Sequence, residues 1–204
     1  MLTYILLGSS YAFAAAIQPG PLQAFLISRV AASGWRRTLP ACLAPLVSDG
    51  PIAAVAVFLL AHLPPQALHV LQAAGGLLLI YFAWITFVEW RSHSEPESSK
   101  SAPRTFFEAV LVNLLNPNPY LGWALVLGPA LHTAWQEHAP SAIALIVAFY
   151  GTMAFTLAGF VLLVGTAGYF GARAQRTLVG ISAGLLAGLG AYLLANAAWR
   201  LLAA

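Results

Sequence analysis

The sequence predicts an all-α integral membrane protein: six transmembrane helices in an inverted 3+3 repeat, with the first and fourth helices broken by prolines. Three observations predict this. Hydrophobic residues make up 60% of the 204 and charged residues only 7%, against about 25% charged in a typical soluble domain. The apolar residues gather into six runs, roughly 3–28, 38–61, 67–89, 107–131, 141–168 and 177–201. Each is near or above the ~20 residues that cross a hydrocarbon core. Finally, two carboxamide-Pro-X-Pro motifs, Gln18-Pro19-Gly20-Pro21 and Asn116-Pro117-Asn118-Pro119, fall inside the first and fourth runs. A proline inside a helix removes a backbone hydrogen bond and clashes with the preceding turn, costing about 3 kcal/mol. At membrane depth such breaks survive only where the backbone is buried in protein or lines a wet cavity. Corresponding breaks in two halves of a chain point to a transporter's binding site.

The first run contains Ala12-Phe13-Ala14, which resembles a signal-peptide cleavage site. It lacks a basic leader segment and stays apolar to Ile27, so it is read as a span. The second run carries Pro45, Asp49 and Pro51. The third ends at Glu89 and Trp90. Next comes the long polar segment Arg91–Thr105, rich in Ser, Glu and Pro, which reads as a solvated linker. The fourth run holds Asn113 and the second Pro-X-Pro motif. The fifth holds Phe149-Tyr150-Gly151, spaced from the second motif much as Ser48-Asp49-Gly50 is from the first. The sixth repeats Gly180, Gly184 and Gly188, a small-residue spacing that permits close helix contact within the monomer or across a homodimer face. The expected organisation is a first three-helix repeat over 1–90, a cytoplasmic linker over 91–106 and a second repeat over 107–204. An odd number of helices in each half requires the two halves to be inverted.

Of the nine Lys and Arg residues, all but Arg200 fall on one side of this zigzag: Arg29, Arg36 and Arg37 after the first helix, Arg91, Lys100 and Arg104 in the linker, Arg173 and Arg176 after the fifth. The net charge of +3 therefore reports orientation in the bilayer and not nucleic-acid binding. The positive-inside rule places these loops in the cytoplasm and both termini outside. Trp35 and Trp90 then fall near the inner boundary, and Trp135 and Trp199 near the outer one.

Taken together, the residues resemble the LysE/RhtB-type amino-acid exporters. The resemblance rests on Pro19-Gly20-Pro21, on Arg29 and Gly34-Trp35-Arg36-Arg37, on Asp49, and on Asn113-Leu114-Leu115-Asn116-Pro117. It implies a bacterial inner-membrane protein that exports amino acids or related metabolites, driven by the proton gradient. Two departures stand near the presumed site. Asn118 and an extra Pro119 follow Asn116-Pro117, where the family often has Lys. Pro45 and Pro51 flank Asp49 in place of the glycines common before that Asp.

The chemistry follows from the residues themselves. Asp49 is the one acidic residue deep inside an apolar run. An aspartate at a helix centre costs about 2.5–3.5 kcal/mol on insertion scales, and such residues mark ion, proton or substrate paths. A carboxylate that accepts either a proton or a substrate ammonium can exchange one for the other, as antiport requires; the competing structural role is a cap for a helix freed by Pro45 and Pro51. A half-helix N-terminus suits a substrate carboxylate. The expected substrate-binding residues are Gln18, Pro19, Gly20, Pro21, Asp49, Asn113, Asn116, Pro117 and Asn118, with Asp49 also coupling to the proton. The amides of Gln18, Asn116 and Asn118 could equally serve to satisfy the interrupted backbone, and Asn113 could equally make an interhelical hydrogen bond.

No cofactor and no metal site are expected. His62, His69, His132 and His138 lie in or near outer loops, without ligand spacing on a span. The lone Cys42 excludes an internal thiol relay, and no span carries the paired side chains of an enzyme. The alternative is a cation or heavy-metal exporter on a related scaffold, for which more thiol, His or carboxylate residues would be expected inside the spans. The predicted topology has a direct test. Fusions to a reporter that fluoresces only in the cytoplasm are expected to be bright at Ser98 and dark at Ala204; a bright fusion at Ala204 reverses the orientation.

Overall fold

The computed structural model describes residues 1–18, 20–58, 65–91, 102–166 and 172–202. Pro19 and most of the predicted linker lie outside them. Among the described residues every regular element is helical. Helix α1 (Leu2–Ile17) is followed by α2 (Pro21–Ser33), the short α3 (Trp35–Thr38), a 3-10 turn (Leu39–Leu43) and α4 (Ala44–Phe58). The long α5 (Pro65–Arg91) closes the first half. Helix α6 (Ala102–Leu114) opens the second, followed by α7 (Pro117–Gly122), a π-helical turn (Trp123–Leu127), α8 (Gly128–Glu137), α9 (Ala139–Thr166) and α10 (Ala172–Leu202).

Local chemistry explains the element ends. Pro21 and Pro117 are the first residues of α2 and α7, where a missing N–H costs nothing because first-turn donors have no intrahelical partner. Gly34 ends α2 with φ at +80°, a left-handed conformation that side chains disfavour. Helix α6 starts at Ala102, inside the stretch read from sequence as linker. Pro103 fits its first turn without loss, and Arg104 pairs with Glu108 one turn on at 3.2 Å. The segments Trp35–Ala56, of 22 residues, and Ala139–Thr166, of 28, are long and apolar enough to cross a membrane. Leu2–Ile17, Ala73–Val88 and Ala183–Trp199 form shorter apolar helices.

Helix α5 lies along α10, and α1 lies along α9. Helix α4 packs on α6, while α2 touches α6, α9 and α10. Glycine permits the α5–α10 crossing. A Cβ on Gly76 would sit 2.8 Å from Leu194 and 2.9 Å from the Gly190 carbonyl. Of the three sixth-helix glycines singled out from sequence, Gly180 faces the Trp90 indole, whereas Gly184 and Gly188 have open space beside them.

Large apolar side chains face outward as well as inward. Phe155 is 83% exposed, Leu125 and Leu163 each 72%, a surface suited to lipid. The largely apolar interior also holds Ser28, Arg29, Ser48, Asp49, Thr86, Thr105 and Asn113. Arg29 corrects an expectation. It was counted with the first basic loop, yet it lies inside α2, completely buried, with its guanidinium 5.4 Å from the Phe25 ring centre and 6.0 Å from that of Phe82. A guanidinium is weakly hydrated and suited to such ring contacts, and a residue buried inside a helix does not count among the loop charges that bear on orientation.

The α5–α10 crossing yields a stability prediction. Gly76→Val drives a branched side chain into Gly190 and Leu194, and should lower stability by about 1–3 kcal/mol. The readout is the thermal unfolding midpoint in detergent, with Gly184→Ala expected to match the parent.

Candidate functional site

The two helix interruptions face a shared cavity of about 280 Å³. Gln18 leaves α1 in an extended conformation, and Gly20 is the residue before α2. Continued as a helix, α1 would need N–H donors from residues 19 and 21 for the carbonyls of Ala15 and Ile17, and both residues are prolines. The Gln23 side chain supplies a substitute. Its Nε2 donates to the Ala16 carbonyl at 2.9 Å and the Ala15 carbonyl at 3.3 Å.

The second interruption is managed differently. The Asn116 N–H donates to the Asn113 carbonyl at 3.2 Å. The Asn116 side chain caps α7 by accepting the Asn118 N–H at 3.1 Å. The Tyr120 hydroxyl donates to the Leu114 carbonyl at 2.9 Å. In both places a side chain from the first turn beyond the break returns to the last carbonyls before it.

Asp49 is 3% exposed and lines the cavity. It lies within α4 and not at its start, which does not match the capping role considered from sequence. The Asn113 amide of α6 donates one hydrogen to Asp49 Oδ1 at 3.0 Å and the other to Ser48 Oγ at 2.7 Å. Ser48 Oγ donates in turn to the Ala44 carbonyl at 3.0 Å. The carboxylate is thus held from one side by a neutral donor, and its remaining lone pairs are available to a proton or a substrate donor.

Of the residues expected from sequence, Gln18, Gly20, Asp49, Asn113, Asn116 and Asn118 line this cavity. Pro21 and Pro117 start α2 and α7 beside it, and Pro19 lies outside the described residues. Sequence reasoning missed Gln23 and an aromatic group. Tyr11, Trp123 and Phe149 all line the cavity. The rings of Tyr11 and Phe149 stack at 6.3 Å, and Trp123 meets Phe149 edge-on at 6.0 Å. The Trp123 indole lies beside Asp49, though its N–H does not meet hydrogen-bond geometry with an acceptor. Trp123 opens the π-helical turn, in which the Gly128 N–H reaches the Trp123 carbonyl. Such turns often mark functional sites. The signals available in sequence were the amide of Gln23 in an apolar helix, and Phe149 in the motif matched to Ser48-Asp49-Gly50.

An apolar helical body with a carboxylate- and amide-bearing cavity between interrupted helices has the build of a membrane-transport protein. The chain belongs to the LysE type translocator family, whose model matches residues 13–197. It is accordingly a multi-pass membrane protein of a transporter family and not of an enzyme family. Comparison with curated proteins and with solved structures gives no match.

The break geometry predicts a shared structural role for Gln23 and Tyr120. Gln23→Leu and Tyr120→Phe should each lower stability by about 1–3 kcal/mol, because carbonyls in a water-poor interior lose their donors. Thermal unfolding of the purified variants measures this; unchanged midpoints would mean that the carbonyls find other partners.

Proposed function

We propose that this protein exports an amino acid or a related small metabolite across the bacterial inner membrane by proton antiport. The observation that carries the reading is that Asp49 and the start of α2 line one cavity. The α2 N-terminus has no side-chain cap. Pro21 brings no N–H, so the first-turn donors are those of Leu22 and Gln23, aligned with the positive end of the helix dipole. A zwitterion fits this pair of ends: its carboxylate at the α2 N-terminus and its ammonium at Asp49. The α7 N-terminus is less free for an anion, since Asn116 already accepts its Asn118 N–H.

Antiport follows from competition for one carboxylate. A proton and a substrate ammonium both neutralise Asp49, and the bare buried carboxylate is the costly state. A carrier that reorients only with Asp49 neutralised exchanges the two without leaking either. The supporting architecture is six spans in an inverted 3+3 repeat, with halves 1–90 and 107–204 joined by a cytoplasmic linker and both termini outside. α1 with α2 forms the first span, and α6 through α8 the fourth. Gln18 and Asn116, at matching places in the two halves, both line the cavity. Substrate contact is assigned to Gln18, Gly20, Asp49, Asn113, Asn116 and Asn118. Pro21 and Pro117, as the first residues of α2 and α7, hold the breaks open.

Asp49→Asn tests the coupling. It keeps size and hydrogen bonding, removes titration, and should insert with stability equal to or above the parent. Efflux from vesicles driven by a proton gradient should fall by on the order of tenfold or more, and its pH dependence should vanish. Parental efflux with a parental pH profile would show that Asp49 is not the coupling group.

A further inference from the structure

The charge content of the cavity limits what the substrate's side chain can be. Among the described lining residues Asp49 is the only one with a formal charge at neutral pH. An α-amino acid brings an ammonium and a carboxylate, which on the reading above are met by Asp49 and the α2 N-terminus. A basic side chain brings a second cation and finds no second carboxylate. An acidic one brings a second anion and finds no cationic side chain. Either would enter a low-dielectric site without a partner, which is strongly unfavourable.

The rest of the lining favours a different kind of group. Tyr11, Phe149 and Trp123 form a continuous aromatic wall, and Met153 lies beside it in the same cavity. Thioethers and aromatic edges adapt to apolar groups of varied shape. At Phe149, the centre of the wall, a cationic side chain gains little by cation–π contact. Phe149 is already stacked on Tyr11 and met edge-on by Trp123 and by Tyr150, whose ring lies 4.9 Å away. A volume of about 280 Å³, at the small end for ligand pockets, suits one amino acid and not a peptide.

We propose that the Tyr11–Phe149–Trp123 wall, in a cavity whose only described charge is Asp49, selects neutral amino acids with apolar or aromatic side chains and rejects basic and acidic ones. This inference rests on the amino-acid export reading, and the experiment separates the two. The full chain is reconstituted into vesicles loaded with labelled L-leucine, L-phenylalanine, L-lysine or L-glutamate, and efflux is followed after a proton gradient is imposed. Leucine or phenylalanine should leave at least about tenfold faster than lysine and glutamate, the discrimination expected when a site leaves a buried charge unpaired. Lysine or glutamate efflux at a rate comparable with leucine overturns the selectivity while leaving amino-acid export standing. Absence of efflux for all four, from protein that is monodisperse and unfolds cooperatively, overturns export and selectivity together.

Discussion

The structure depends on one constraint: a backbone group released by a Pro-X-Pro motif must find a partner in the protein or face a wet cavity, because lipid offers none. The spacing of the prolines determines which groups are released. Prolines at 19 and 21 withhold the N–H groups that Ala15 and Ile17 would use, and prolines at 117 and 119 do the same for Asn113 and Leu115. Of these carbonyls, that of Ala15 accepts from Gln23 and that of Asn113 from the Asn116 N–H, while Gln23 and Tyr120 also serve the neighbouring carbonyls of Ala16 and Leu114. These bonds hold the breaks as fixed features of the bundle. They also fix where α2 and α7 begin, and so where their positive ends point.

The two breaks are similar in motif but not in chemistry. Asn116 caps α7 through its own side chain, whereas Gly20 has no side chain with which to cap α2. Gln23, the nearest amide, is turned back toward α1. One half-helix therefore starts satisfied and the other starts with donors to spare. The same asymmetry appears in the second pair of motifs: where one half carries Asp49, the other carries Phe149 and Tyr150. The two halves of the chain thus contribute differently to the cavity, the first a charge, an open helix end and Tyr11, the second a capped helix and the Phe149 and Trp123 rings.

Much of this was legible in the sequence. Apolar runs gave the helices, the proline motifs lay where α1 and α6 end, and a lone aspartate in an apolar run gave the carboxylate. The failures have physical reasons. Arg29 looked like a loop residue because charge is expected at helix ends, but its flat, weakly hydrated guanidinium can be buried against Phe25 and Phe82. Gln23 was missed because its bonds return to carbonyls seven and eight residues back, a reach that exists only once the helix has broken. The sequence admits an interhelical hydrogen bond for Asn113, but its partner Asp49 lies 64 residues away, and no local pattern names it. The π-helical turn at Trp123 depends on the carbonyl register chosen ahead of Pro129, which lacks the N–H that would continue the ladder, and neighbouring packing decides such a register.

That single bond between Asn113 and Asp49 also bears on how occupancy could reach the fold. It joins α4 to α6, helices from opposite halves of the chain. A hydrogen bond to an ionised carboxylate is roughly twice as strong as one to a neutral acceptor. On the proposed mechanism a proton on Asp49 weakens its tie to Asn113, while a substrate ammonium keeps the carboxylate ionised and the tie strong. Ser48 holds the second hydrogen of the same amide at 2.7 Å, so Asn113 stays anchored to α4 in either state and only the Asp49 contact changes strength. On that mechanism the group that accepts the proton is also a group that links the two halves, so its charge state reaches the α4–α6 contact without a separate relay.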